Sequence, residues 1–216
     1  MNKMKSQIDQ LRNEIEPAKL MVVTKRRSAE IVGSAVSAGA EYLGENRVQE
    51  VLAKYSEELR QVVSSARAEV HFIGKLQTNK VKPLLPYIHA IHSVDSLKLA
   101  QKIDREAESL GRIIPVYLQI NATREPQKSG FSPEDLRANI EEIRGLTSVS
   151  VAGLMCMGKE EDTEETRKAF QLCSKMANEY DLEGCSMGMS ADYHIALAEG
   201  STMVRIGSKI FGERAY

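Results

Sequence analysis

Short apolar runs punctuate this chain at regular intervals. They stand at Leu20–Thr24, Glu41–Leu43, Val70–Ile73, Ile88–His92, Ile113–Asn121, Val149–Met155, Cys185–Met187 and Met203–Ile206. Runs of this kind, rich in valine, isoleucine and leucine, read as buried parallel strands. Between them the apolar positions fall three and four apart, the spacing of a helix with one buried face. Ser28 caps one such helix and Gly39 closes it. A charged helix runs from about Val48 to Val63, and a short one from Thr78 to about Leu85 is stopped by Pro86. Ser93 and Asp95 are candidate caps for a helix reaching Leu110. Ser132-Pro133-Glu134 starts another, with serine at the cap and proline in the first turn. Thr163–Tyr180 and about Asp192–Ala198 complete the set. Ahead of them all, Met1–Glu16 carries Met4, Ile8, Leu11 and Ile15 on one face and ends at Pro17.

Strands alternating strictly with helices imply a parallel sheet. Eight such repeats suit a closed (β/α)8 barrel. The expected fold is therefore α/β, a single barrel domain over residues 1–216 with the 1–16 helix packed on it. No Pro/Gly/Ser-rich linker divides the chain. The alternative is a doubly wound open sheet, against which stands the missing Gly-x-Gly-x-x-Gly after the first strand.

Composition narrows the function classes. The net charge is -1, so no overall basic field points to nucleic acid. No apolar run approaches the roughly 20 residues of a membrane span. The N-terminus lacks the apolar core of a secretory signal, and cytoplasmic residence is the default expectation. Cys156, Cys173 and Cys185 form no Cys-x-x-Cys pair, so they read as small buried side chains and not as metal ligands or disulfides. Lys75, Lys80 and Lys82 read as a solvated face or a patch for an anionic partner.

In a parallel barrel the residues after each strand converge on one face. Lys25 stands there after the first strand. It is either a phosphate-binding charge or, desolvated, a neutral amine able to condense with a carbonyl; neighbouring Arg26 and Arg27 favour the neutral form. Ser190, Gly207 and Ser208 lie in turns after the seventh and eighth strands, where barrels often bind phosphate through backbone N–H groups. Lysine on one side and phosphate cup on the other suit a phosphorylated aldehyde. Pyridoxal 5′-phosphate is one; a sugar phosphate in a Schiff-base aldolase is another. Arg205 lies two residues before Gly207, on the same face of an extended strand. It could therefore reach the ring of such a cofactor. An arginine donates to a pyridine nitrogen without surrendering a proton, which leaves the ring a weak electron sink.

These residues sit in motifs that resemble the pyridoxal phosphate homeostasis proteins, short relatives of the N-terminal barrel of alanine racemase. The motifs are Val-Val-Thr-Lys at 22–25, Gly-Glu-Asn-Arg-Val-Gln-Glu at 44–50 and His-Phe-Ile-Gly-Lys-Leu-Gln-Thr-Asn-Lys at 71–80. Lys-Ser-Gly at 128–130, Gly-Leu-Met at 153–155, Ser-Met-Gly-Met-Ser at 186–190 and the block at 200–214 continue the match. The resemblance implies pyridoxal 5′-phosphate held as an aldimine on Lys25. It implies Ser190, Gly207 and Ser208 toward the phosphate, Arg205 toward the pyridine nitrogen and Asn46 near the cofactor. Lys128 falls on a lysine implied in cofactor handling. Ser208 stands where the family more often has threonine, and Arg27 where it has a lysine; an arginine cannot form an aldimine. Arg47, Lys75 and Gly158 also depart from the family pattern.

The related racemases use a second base, a tyrosine from an additional domain, and nothing after Tyr216 supplies it. The expectation is a non-catalytic cofactor carrier that affects cofactor supply and amino-acid balance. It would exchange with amines of partner proteins such as pyridoxal-phosphate-dependent apoenzymes. The open barrel face suggests a monomer. The alternatives are a slow amino-acid racemase and, behind it, a phosphosugar Schiff-base enzyme.

Overall fold

A computed structural model describes residues 3–125 and 127–212. Met1 and Asn2 of the expected first helix, and Glu213–Tyr216 at the end of the last motif block, lie outside the described residues. The strands are β1 (Lys19–Val23), β2 (Tyr42–Glu45), β3 (Glu69–Phe72), β4 (Ala90–Val94), β5 (Ile114–Gln119), β6 (Val149–Met155), β7 (Gly184–Met189) and β8 (Met203–Ile206). They close into a barrel in chain order, every pair parallel. β1 meets β8 at the seam, with Val22 opposite Ile206. The helices are α1 (Lys3–Ile15), α2 (Ala29–Ser37), α3 (Val48–Lys54), α4 (Glu57–Ser65), α5 (Val81–Leu84), α6 (Leu97–Glu108), α7 (Pro133–Arg144), α8 (Thr163–Glu179), α9 (Tyr193–Ala198) and α10 (Ser208–Phe211).

Apolar strand residues such as Val22, Leu43, Val70, Ile91 and Val204 are buried in one core with inward helix positions such as Val32, Ile103, Ile140 and Phe170. Each fully buried side chain of this size contributes about 1.5–3 kcal/mol. α1 buries Ile8, Leu11 and Ile15, the stripe its spacing announces. It lies against α10, where the Gln7 amide donates to the Lys209 carbonyl at 3.2 Å.

Three local expectations need correction. The single helix at 48–63 is two helices, α3 and α4. Tyr55 leaves helical geometry (φ −86°, ψ 67°) because Lys54 and Tyr55 both turn inward to a buried carboxylate. Ser96 caps α6, its hydroxyl accepting from the Leu99 N–H, while Ser93 is buried within β4. The stretch Thr78–Tyr87 contains only four α-helical residues, flanked by two three-residue 3₁₀ turns.

Candidate functional site

The segment that presents Lys25 is tied down on every side. β1 ends at Val23, and Thr24 is fully buried. The Thr24 N–H donates to the Gly44 carbonyl (2.9 Å) and its hydroxyl to Glu45 Oε1 (2.7 Å). Lys54 Nζ donates to the same carboxylate oxygen (2.8 Å) and to the Thr24 carbonyl (3.0 Å). Tyr55 Oη is the third donor to that oxygen, at 3.2 Å. Burial, then the Glu45 charge, push the Tyr55 phenol well above its ordinary value, so it stays a neutral donor. Beyond Lys25 the chain turns through Arg26 at φ +61°, uncommon for a side-chain-bearing residue. The Arg26 N–H donates to Glu50 Oε2 (2.7 Å) and the Arg27 N–H returns to the Thr24 carbonyl (3.1 Å). The half-buried lysine thus stands on a fixed turn at the carboxyl end of β1.

The facing wall comes from β7 and β8. Ser186 pairs with Met203 but Met189 with Arg205, three steps on β7 against two on β8. This bulge re-aims the strand end. Gly188 sits in it at φ +94°, where an added Cβ would lie 2.6 Å from the Ala196 Cβ. The result is Met189 and Ser190 lifted to the barrel mouth. At the end of β8, Gly207 opens α10 against β1; a Cβ there would come 3.2 Å from the Val23 carbonyl oxygen.

Lys25, Ser190, Arg205, Gly207 and Ser208 line one cavity of about 270 Å³, together with Val23, Arg27, Ile73, Met189, Ala191, Phe211 and Gly212. Among the described residues three cations and no carboxylate face it, the donor set for an anion. Arg205 is only 5% exposed. Its Nη1 donates to the Ser186 carbonyl (2.5 Å) and hydroxyl (2.8 Å), and its Nη2 to the Cys156 carbonyl (3.0 Å). All three acceptors are uncharged, so the guanidinium is not the rim ion pair a surface arginine would make. Burial lowers its pKa, from a starting point so high that it stays charged. Arg27 lies over the Phe211 ring at 5.0 Å.

Two residues singled out in the sequence lie apart. Asn46 follows β2 without lining the cavity; its Oδ1 is buried with no hydrogen-bond partner among the described residues. Lys128 bridges the loops after β5 and β6, donating to the Gly158 carbonyl (2.9 Å) and pairing with Glu125 (2.5 Å). All three cysteines are buried, and no group of three metal-ligating side chains occurs among the described residues. No helix of the described residues is long and apolar enough to cross a membrane. A larger groove of about 430 Å³ lies at the amino ends of β3 to β5. Its Arg112 is spent on the Leu85 and Ile88 carbonyls and its Arg60 stacks on Tyr87.

Sequence reading missed the Glu45–Lys54–Tyr55 cluster behind Lys25. The signal was there: an acidic residue inside the apolar end of a strand must find a partner. It also missed Met189 and Phe211 on the cavity wall, which carry no recognisable signature.

The comparisons agree with this geometry. The family model "Alanine racemase, N-terminal domain" matches residues 1–215. A "Pyridoxal phosphate homeostasis protein" of Aquifex aeolicus is 38% identical over 206 residues, 92% of this chain and 88% of that one. A protein of the same name from Bos taurus is 37% identical over 218 residues, 94% of this chain and 79% of that one. Two structures of PipY from Synechococcus elongatus superpose at 34% identity, covering 97% of this chain and 100% of theirs. The one without PLP gives a TM-score of 0.89, the one with PLP bound 0.87. Alanine racemase of Clostridium difficile shares the fold at 21% identity and TM-score 0.79, covering all of this chain and 58% of its own. With a closed barrel, a lysine after its first strand and a cationic cup after its last, the chain belongs to the alanine racemase N-terminal-domain family, among the pyridoxal phosphate homeostasis proteins.

Proposed function

We propose that the cavity at the β1–β8 seam binds pyridoxal 5′-phosphate and that the protein is a reversible carrier of this cofactor, not an enzyme with appreciable turnover. The observation that carries the reading is the lining itself: an amine just past β1 shares the cavity with a glycine and serine turn just past β8, among three cations and no carboxylate of the described residues. The relatives named for pyridoxal phosphate homeostasis, and PipY with PLP bound, support it. When bound, the cofactor supplies an electrophilic aldehyde carbon and an electron-drawing ring.

The residues divide the work. Lys25 offers the amine that condenses with the aldehyde. Ser190 and Ser208 offer hydroxyls to the phosphate, and Gly207 lets the backbone approach it. Arg205 gives the ring nitrogen a hydrogen bond and keeps its own proton, which holds the ring short of full electron withdrawal. Apart from Lys25, the described lining residues carry no amine, imidazole or carboxylate that could serve as a second base. Proton transfer on both faces of a substrate carbon is therefore unsupported, and a racemase reading loses its second base. Lys25 would hold the cofactor in a form open to free amines, including those of pyridoxal-phosphate-dependent apoenzymes. Asn46 is offered to the cofactor from the end of β2, its buried Oδ1 without a partner among the described residues, and Lys128 serves in cofactor handling.

The test is direct. Incubation with pyridoxal 5′-phosphate followed by borohydride reduction puts the label on Lys25 by peptide mass spectrometry, and Lys25→Ala abolishes it. Single-enantiomer alanine stays optically pure over many protein equivalents. Label retained in Lys25→Ala, or enzyme-level racemisation, refutes the reading.

A further inference from the structure

Two histidines lie buried inside the barrel with no place in the binding described above. Glu69 begins β3 at the amino-terminal end of the barrel, its side chain 47% exposed. Its Oε2 lies 2.8 Å from His71 Nε2. His71 Nδ1 lies 2.9 Å from His92 Nε2, and His92 Nδ1 lies 2.8 Å from the Ser186 hydroxyl. That hydroxyl accepts from Arg205 at 2.8 Å. His71, His92 and Ser186 are all buried. The four contacts run from the outer end of β3, through the barrel interior, to the guanidinium that lines the cofactor cavity.

With a single proton on each ring and the Glu69 carboxylate able only to accept, the protons in this chain have one arrangement. A guanidinium only donates, so Ser186 Oγ is an acceptor toward Arg205. Its single proton then goes to its other neighbour, His92 Nδ1, which must be bare. His92 carries its proton on Nε2 and gives it to His71 Nδ1. His71 in turn carries its proton on Nε2 and gives it to the Glu69 carboxylate. A cation closes one end of the chain and an anion the other.

We propose that Glu69, His71, His92 and Ser186 form a one-directional hydrogen-bond chain that orients Arg205, with His92 as the positioning residue that makes the grip on the cofactor ring sensitive to acid. It rests on the reading that Arg205 faces the bound cofactor. An extra proton on His92 would set an Nδ1–H against a hydroxyl that already accepts from Arg205. The hydroxyl would lose its acceptor, and two like charges would stand across one serine. The groups around His92 all oppose that proton or lie too far to welcome it. Arg205 repels it, the Tyr117 ring stacks on it at 4.0 Å, and Glu69 is reached only through His71. Burial, then His71 and Arg205, hold its pKa well below the usual histidine value.

Glutamine mimics the proposed tautomer, since its Oε1 can accept from Ser186 and its Nε2 donate to His71, but it does not titrate. The experiment therefore compares wild type, His92→Gln and His92→Phe. Nitrogen-15 NMR of the histidine-labelled apo-protein at neutral pH shows both rings as the Nε2–H tautomer; an Nδ1–H tautomer at either ring overturns the chain regardless of any cofactor. In protein loaded with pyridoxal 5′-phosphate, His92→Gln matches wild type near neutral pH and His92→Phe binds on the order of tenfold more weakly, the loss of one hydrogen bond to a charged group. As pH falls from about 7.5 to the acid edge of the range in which the protein stays folded, wild type loses more affinity than His92→Gln, on the order of tenfold at that edge. Parallel acid profiles in wild type and His92→Gln overturn the proposal, and should His92→Phe fail to fold, that comparison still decides. Wild type that takes no label on Lys25 instead refutes the cofactor reading, while the apo-protein tautomers judge the chain alone.

Discussion

Replacing Lys54 by methionine isolates the support beneath the Schiff-base candidate. Glu45 is fully buried and the Lys54 side chain is 7% exposed, so the pair sits in a water-poor setting. The Glu45 Oε1 atom collects all three donors, from Thr24, Lys54 and Tyr55, and Oε2 has no partner among the described residues. Without the ammonium, the carboxylate keeps two neutral donors and no compensating charge. Breaking one side of a buried pair costs about 3–5 kcal/mol. For a chain of this length each kcal/mol lowers Tm by about 2–4 °C, which makes the drop about 6–20 °C. Urea unfolding followed by far-ultraviolet circular dichroism measures the free energy directly. Repeating Lys54→Met in a Glu45→Gln background removes the stranded charge, and the cost falls by at least about 1 kcal/mol. Borohydride labelling of Lys25 slows in the single variant, because the Thr24 carbonyl that anchors the turn loses its ammonium donor. Stability within about 0.5 kcal/mol of wild type, or an equal loss in both backgrounds, refutes the idea that this pair fixes the Lys25 turn.

Three further outcomes follow from named contacts. His92 has a depressed pKa when folded, so the unfolded chain binds more protons in mild acid; its contribution is whole above about pH 6.5 and lost as pH falls below that, with a slope of up to about 1.4 kcal/mol per pH unit that His92→Gln removes in pH-dependent thermal unfolding. Gly188→Ala forces a side chain into φ +94° with its Cβ 2.6 Å from that of Ala196, costing about 2–3 kcal/mol and weakening cofactor retention in equilibrium dialysis; a neutral result would mean the bulge is not needed to raise Ser190. Ile8→Ala empties a fully buried position on α1 and costs about 2–4 kcal/mol by urea titration, whereas a loss under about 0.5 kcal/mol would mean that the helix is not part of the core.

Much of this architecture was legible because a barrel strand is short, apolar and bounded. Every strand lies within a residue or three of its expected position, and strict alternation dictated both the parallel pairing and the closure. The cavity wall was legible for a related reason: residues just past β1, β7 and β8 converge whatever their side chains are. What escaped were features that exist only through tertiary contact. Nothing local in Val48–Val63 announces a break at Tyr55; the break answers a carboxylate on β2. His71 and His92 look like ordinary members of apolar strands, and their alignment into one chain depends on the barrel stagger. Asn46 and Lys128 follow β2 and β5 without lining the cavity, and the contacts of Lys128 with Glu125 and Gly158 exist only through the packing of two loops.

The seam between β1 and β8 has a consequence for the newborn protein. Lys25 leaves the ribosome before Arg205, Gly207 and Ser208 by on the order of ten seconds or more at ordinary elongation rates. Until the last strand docks beside the first, the amine has no cradle opposite it. A chain whose barrel is still open therefore draws little on the supply of a reactive aldehyde, and capture marks closure. Once seated, the ligand acts as a clasp across the two ends of the circle, resisting their parting in proportion to how far its concentration exceeds its dissociation constant.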